Sequence, residues 1–315
     1  MRVQVIIKCP CGWLEAALLD CPRLSRAANA AAVLEASVVK TGDLSFDEGT
    51  PVKLLCDGAE VFSGRVFTKS RTRPEIINIR AYDELRYLQN RDCCSFVSAT
   101  PGNMLRQIAG MLDLPLGDVA DCGYRFTAKV YDNRRYLDML ADVLADVLRV
   151  KSKHYYVLAE NGKLCLRDCR EMMVNVVMSL PNFCGYSYLT TLDDGYANRV
   201  KVIYEDKRKS LRQEYMAENR EDIKRFGVLQ YVSKNASANR QTKAQADQLL
   251  RDLNHRGEQL SVRGALGDVR VRGGSMVRVN LNLGDRIVND WALVQSAVHT
   301  FCSGQCLMDL ELELV

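Results

Sequence analysis

Apolar and polar residues alternate with a period of two through much of the chain, most sharply between Phe46 and Asn90. Val52, Leu54 and Cys56 fall on one face of a predicted strand, Asp57-Gly58 follows, and a second strand runs through Val61 and Phe62. Asp-Gly between alternating apolar runs marks a tight hairpin, because glycine adopts the positive φ of such a turn without steric cost. A polar break is predicted at Lys69 to Arg73, then a strand from Ile76 to Ala81 that ends in Tyr82-Asp83-Glu84-Leu85. The first third of the chain therefore reads as antiparallel sheet. Within residues 1 to 45 the run Ala27 to Ala32 has helix propensity, whereas Val33 to Val39 has the β-branched content of a strand.

After Asn90 the period changes. Thr100-Pro101 predicts a helix start, a capping hydroxyl followed by proline at the first helical position, and Met104, Leu105, Ile108 and Leu112 make one apolar stripe. Asp132-Asn133 reads as the cap of a second helix, with Leu137, Leu140, Ala141, Leu144 and Leu148 as its buried face. Tyr155 to Leu158, Asn161-Gly162 and Leu164 to Leu166 predict a hairpin with a two-residue turn. From Tyr186 the pattern returns to β: Val200, Val202 and Tyr204 share one side of a strand, and a helix near 242–255 carries Ala246, Leu249, Leu250 and Leu253 and is expected to close on Gly257. Strands follow to the end, with Val277, Val279 and Leu281 and then Leu310, Leu312 and Leu314 alternating with polar residues, the mark of a half-solvated sheet. The fold class is thus mainly β with an α+β insertion, divided as 1–95, 96–185 (two helices and a hairpin) and 186–315.

At 315 residues, 47% hydrophobic and 26% charged, the composition is that of an ordinary folded protein of two or three domains. Met1 to Lys8 lacks the apolar core of a signal peptide, and nowhere do eighteen apolar residues run together, so we expect cytoplasmic synthesis and no membrane partner. Twelve cysteines are diluted in a long chain without an export signal, which makes reduced, buried thiols the default. A net charge of +4 with no recognisable reader motif argues against sequence-specific nucleic-acid binding.

Motifs for chemistry are sparse. His299, Cys302 and Cys306 carry the ligand types zinc prefers, but a fourth ligand is missing and a Ser303-Gly304 turn explains the spacing, so no metal and no cofactor are expected. The three histidines stand in no nucleophile–base motif. Asp193-Asp194-Gly195 reads as a turn rather than an acid–base pair. Basic stretches at Lys69 to Arg73 and Lys207 to Arg212, with Arg270, Arg272 and Arg278, read as solvated faces that could line a channel or meet neighbouring subunits in a ring.

Three stretches together resemble a known family: Asp-x-Gly, strand, Asp57-Gly58, Val-Phe-x-Gly-x-Val, basic loop, strand and Ala-Tyr-Asp-x-Leu-x-Tyr-Leu; then Phe226 to Tyr231; then Gly267-Asp-Val-Arg-Val-Arg-Gly-Gly-Ser-Met-Val-Arg-Val-Asn-Leu-Asn-Leu-Gly-Asp285. In this order, from about Val38 to the C-terminus, the chain resembles the hub proteins of contractile phage tails and prophage-derived particles, the XkdQ/YqbQ type. The resemblance implies a strand from Val33 and two tail-tube-like antiparallel β-barrels flanking a small α+β domain. It also implies a bacterial cytoplasmic origin and assembly into a baseplate as a homotrimeric ring. The partners implied are a tail tube or tube-initiator protein, the central spike, baseplate wedge proteins and the tape measure protein. It points to Phe62, Phe67, Tyr82, Leu85, Tyr87, Phe226, Leu229 and Tyr231 as interface anchors, with barrel core as the alternative for each and the weightier one for Phe62, Tyr82 and Leu85. The other functional class, a tail-associated cell-wall hydrolase, would need an acidic or Cys/His pair facing one cleft.

Overall fold

The computed structural model describes residues 1–193, 195–206, 211–235, 242–284 and 286–314. Its contacts divide the chain into two compact units, Met1–Ser187 with Leu260–Val315, and Tyr188–Gln259.

The first unit begins with β1 (Val3–Cys9), β2 (Gly12–Leu18), β3 (Arg23–Ala27), β4 (Val33–Val39), β5 (Pro51–Cys56), β6 (Ala59–Arg73) and β7 (Ile76–Tyr82). The pairing order β4-β2-β1-β5-β6-β7 is completed by β7 returning to β4, from Val33 opposite Tyr82 to Val39 opposite Ile76. Six antiparallel strands thus close into a barrel, which leaves none of them as a free edge. Alternate positions point inward, so Val5, Ile7, Leu34, Val38, Val52, Leu54, Val66 and Ile77 are buried, each contributing roughly 1.5–3 kcal/mol of burial. The strand expected from Val33 is present, and the alanine run ends β3 and turns through Asn29 at φ 52°. The break expected at Lys69 to Arg73 is absent. β6 continues through it, with Lys69 opposite Ile79 and Arg73 opposite Ile76 across a bulge between Arg71 and Arg73, because the backbone ladder pairs whatever side chains it carries. Arg71 and Arg73 face water, and the Lys69 ammonium is held by Asp47 and the Phe46 ring.

A 3-10 turn (Glu84–Gln89) leads to β8 (Arg91–Ala99), α1 (Pro101–Met111), β9 (Leu116–Val119), β10 (Phe126–Arg135), α2 (Tyr136–Lys151), β11 (Tyr155–Glu160) and β12 (Lys163–Asp168). Thr100 caps α1 as its sequence predicts, its side chain accepting from the Asn103 N–H at 3.1 Å. The 155–166 hairpin turns through Asn161 and Gly162, both at positive φ. Asp132-Asn133, however, caps nothing: both belong to β10, which pairs with β8 across a bulge, and α2 starts at Tyr136. Its buried face is Tyr136, Leu137, Met139, Leu140, Val143, Leu144 and Val147, while Ala141 and Leu148 are less covered. Asp142 and Asp146 on its other side both hold the Lys129 ammonium at 2.7 Å.

The second β region comprises β13 (Met173–Met178), β14 (Gly185–Thr191), β15 (Arg199–Asp206), β16 (Leu211–Glu218), α3 (Arg220–Phe226), β17 (Gln230–Asn235), α4 (Thr242–Leu253), β18 (Gly257–Leu266), β19 (Met276–Asn282), β20 (Ile287–Cys302) and β21 (Gln305–Leu314). Gly257 opens β18 instead of capping α4. The smaller unit is the three-stranded sheet β16-β15-β17, against which α4 buries Ala246 and packs Leu249, Leu250 and Leu253. Beyond the barrel the same 13-stranded sheet continues as six strands, β14-β18-β21-β20-β19-β13, of which β13 pairs parallel to β19 and β14 belongs to the smaller unit from Tyr188 on. The two six-stranded elements are joined by β20. Its far edge from β21 pairs first with β19 (Ile287 to Leu293) and then, past a bulge at Val294 to Ser296, with β3, which itself pairs with β4 of the barrel.

Candidate assembly surfaces

The Val-Phe-x-Gly-x-Val motif is a packing device. A Cβ at Gly64 would lie 2.7 Å from the Phe62 ring and closer still to the Tyr82 carbonyl, so only glycine lets β6 bend against β7 here. Phe62 is thereby buried in the barrel and Leu85 in the core of the α/β insertion. Phe67, Tyr82 and Tyr87 instead form one half-buried cluster. Phe67 stands edge-on to Tyr82 at 5.3 Å and 6.1 Å from Tyr87, and the Arg86 guanidinium lies 5.5 Å over Phe67 and 5.6 Å over Tyr82. Aromatic rings with a stacked arginine are the composition of an interface anchor. A further exposed apolar face, which the sequence reading missed, lies on the β8–β10 ribbon, where Val97 and Val130 are 73% and 79% exposed. The pairing of those strands across an intervening helix hid it.

In the smaller unit the Phe226 to Tyr231 stretch is held by one buried side chain. Asn198 donates to the Gly227 carbonyl at 2.7 Å and accepts from the Leu229 N–H at 2.9 Å. Phe226 packs edge-on to Tyr196 at 6.2 Å, with the guanidiniums of Arg225 and Arg256 5.0 Å and 5.5 Å from its ring centre. Leu229 is half-buried, whereas Val228 and Tyr231 are 49% and 45% exposed. The clamp thus presents an apolar tip.

The Gly267 to Asp285 stretch, whose last residue lies outside the described ones, joins the parts of the larger unit. A Cβ on Gly273 would strike the backbone of Ala27 and Ala28, so the loop rests directly on β3. The Ser275 hydroxyl accepts from the Arg272 N–H at 2.9 Å and donates to the Arg272 carbonyl at 2.5 Å, and the Ser275 N–H donates to that same carbonyl at 3.0 Å, closing the turn. Of the three arginines, Arg270 is exposed and paired with Asp268 at 2.6 Å, and Arg278 is exposed with Asn289 at 3.4 Å. Arg272 points inward and donates to the Ala159 carbonyl at 3.1 Å. It shares the interior with Arg26 and Asp83, both nearly inaccessible. Burial, helped by the charge of Arg272, lowers Arg26 to about 9. Burial pushes the Asp83 carboxyl up to about 7 against opposing hydrogen bonds from Ala32 and Leu85.

His299, Cys302 and Cys306 do not converge. His299 is buried, its Nε2 3.0 Å from the Asp268 carbonyl, and burial together with the charge of Arg26 pushes it down to about 4. Cys302 is exposed and bonded to Cys21, a correction to the expectation of reduced thiols, while Cys306 is buried on the opposite face. The 303–304 turn pairs Cys302 with Gln305 and Phe301 with Cys306, so it separates the two cysteines that sequence spacing placed together. Ten other cysteines are free, with Cys93 exposed and Cys94 half-buried. Among the described residues no group of three or more His, Cys, Asp or Glu side chains is placed to hold a metal. Asp193 sits in a bend with its N–H on Thr191; Asp194 and Lys207 to Ser210 lie outside the described residues. No helix among them is long and apolar enough to cross a membrane.

Along its whole length the chain superposes on phage-tail proteins of known structure. The 43 kDa tail protein of prophage MuSo2 from Shewanella oneidensis superposes with a TM-score of 0.71 at 11% identity, covering 98% of both chains. A tail protein from Neisseria meningitidis MC58 does so with 0.72 at 12% identity, covering 100% of this chain and 97% of that one. The E. coli c3393 protein, a type VI secretion component with structural similarity to the T4 tail proteins gp27 and gp5, matches with 0.56 at 6% identity over 95% of this chain and 74% of its own. At such identities the likeness is one of fold. Residues 24–313 match the model of the YQBQ-like family, and the protein belongs to that family, as the three motif stretches implied. No curated protein matches the sequence.

Proposed function

We propose that the chain is a structural, non-enzymatic subunit of a phage tail or phage-tail-like particle, namely its baseplate hub. In this reading three copies form a ring that joins the hexameric tail tube to the central spike. The observation that carries it is the continuity of the closed barrel through β3 and β20 into a second six-stranded sheet. One chain then offers two six-stranded elements, so three chains offer six to a hexameric tube while keeping three-fold symmetry toward the spike. In functional terms the chain divides into 1–95, 96–185 and 186–315. The outer segments continue the tube lattice, and the middle one meets spike or wedge proteins. The Phe67–Tyr82–Tyr87–Arg86 cluster and the Val228–Tyr231 tip serve as contact anchors, and the tape measure protein threads above.

The test is the mass of the purified chain by light scattering, alone and mixed with the spike protein encoded nearby. A trimer, alone or on adding the spike, supports the reading. A monomer that ignores the spike refutes it.

A further inference from the structure

We propose that a cavity of 450 Å³ bounded by Arg26, Asp83 and Arg272 is a binding site for a small oxyanion of the sulfate or phosphate type. Three segments of the larger unit supply the walls: β3 gives Arg26, the exit of β7 gives Asp83, and the loop between β18 and β19 gives Arg272. The other charged groups on the lining are internally neutralised. Glu60 is paired with Lys53 at 2.6 Å, Glu160 with Arg167 at 2.8 Å and Arg270 with Asp268 at 2.6 Å.

Two guanidiniums and one carboxylate remain. Neither Arg26 nor Arg272 makes an ion pair among the described residues; their donors go to main-chain carbonyls instead. Arg26 Nη2 reaches Val269 at 2.6 Å and Val271 at 3.0 Å, and Arg272 Nη1 reaches Ala159 at 3.1 Å. Arg26 is 6% exposed, and its Nε is buried with no hydrogen-bond partner. Asp83 spends one carboxyl oxygen on the Leu85 N–H at 3.1 Å. Glu84, the next residue, is itself pushed toward the neutral form by burial.

Two guanidiniums facing a single carboxylate leave one positive charge uncompensated, which is costly in a buried setting, and a planar guanidinium fork suits the paired oxygens of an oxyanion. A bound oxyanion would tie β3, the barrel exit and the 267–275 loop through a single charge, stiffening the junction where the barrel, the hairpin and the second sheet meet.

The experiment is calorimetric titration of the full chain with sodium sulfate at pH 8, at ionic strength held constant with sodium chloride. One saturable site per chain is expected. Arg272→Gln should weaken it by about tenfold or more, and Asp83→Asn should tighten it by about tenfold, the order set by removing one charge at short range. Asp83→Asn retains an acceptor for Leu85, so a gain in affinity cannot come from partial unfolding. If Arg272→Gln does not fold, the gain in Asp83→Asn decides the matter. No saturable heat at constant ionic strength, or binding that the substitutions leave unchanged, which would mean an adventitious ion only, overturns the proposal.

Discussion

Replacing Asp83 by Asn should change not only the stability of the protein but the shape of its dependence on pH. Asp83 is buried and its carboxyl is pushed up to about 7, against about 3.9 in an unfolded chain. A group whose folded value is raised in this way costs nothing below pH 4 and progressively more as pH rises toward 7. Roughly three units at 1.36 kcal/mol each give a cost of about 4 kcal/mol at pH 8. His299, pushed down to about 4 by burial, acts in the opposite sense. Its contribution is intact above the unfolded value of about 6.5 and is lost as pH falls toward 4, a loss of about 3 kcal/mol. Over pH 4–7 the two slopes nearly cancel. Asn keeps the size of Asp83 and an oxygen for the Leu85 N–H, but removes the charge. Urea denaturation of wild type and Asp83→Asn should therefore give equal stabilities near pH 4, and a variant about 4 kcal/mol more stable at pH 8. Apart from Arg26 and Arg272, which face Asp83, the remaining groups contribute alike to both curves, so the difference between them isolates the Asp83 cluster. Parallel curves, or a variant less stable at pH 8, would refute the account of Asp83 as a buried, unfavourable carboxylate.

Gly273→Ala should destabilise the larger unit by roughly 3 kcal/mol or more, since the new Cβ meets main chain that cannot rotate away; chemical denaturation reads the loss. Reducing the Cys21–Cys302 bond should cost about 2–4 kcal/mol, seen as a lower Tm with reductant, and Cys302→Ser should abolish the reductant's effect. Tyr231→Ala, at a side chain 45% exposed, should leave folding stability within about 0.5 kcal/mol while weakening assembly in the light-scattering assay; a large loss of stability would instead make Tyr231 a packing residue.

Where structure depends on neighbours along the chain, the sequence was legible. Asp57-Gly58, Asn161-Gly162 and Ser303-Gly304 all turn with positive φ at both residues, and Thr100-Pro101 starts α1. These signals are local, because a turn or cap is decided by the φ and hydrogen bonds of two or three residues. The misreadings come from the same reliance on local signals. Asp132-Asn133 has the chemistry of a helix cap, but pairing with β8 claimed those residues for a strand. Lys69 to Arg73 looks like a break, but β7 supplied partners for its backbone.

Alternation and turn residues by themselves determined a mainly antiparallel protein with an α/β insertion, and three ordered motifs determined its family. Tertiary structure alone decided that β7 returns to β4 to close the barrel and that β3 joins β20, some 270 residues away in the chain. It also decided that Cys302 meets Cys21 rather than Cys306, and that Arg26, Asp83 and Arg272 share one interior. The physical reason is common to all four. A strand's alternation specifies which face is buried but not which edge it pairs with, and a charged side chain's environment is set by whichever distant segments pack over it.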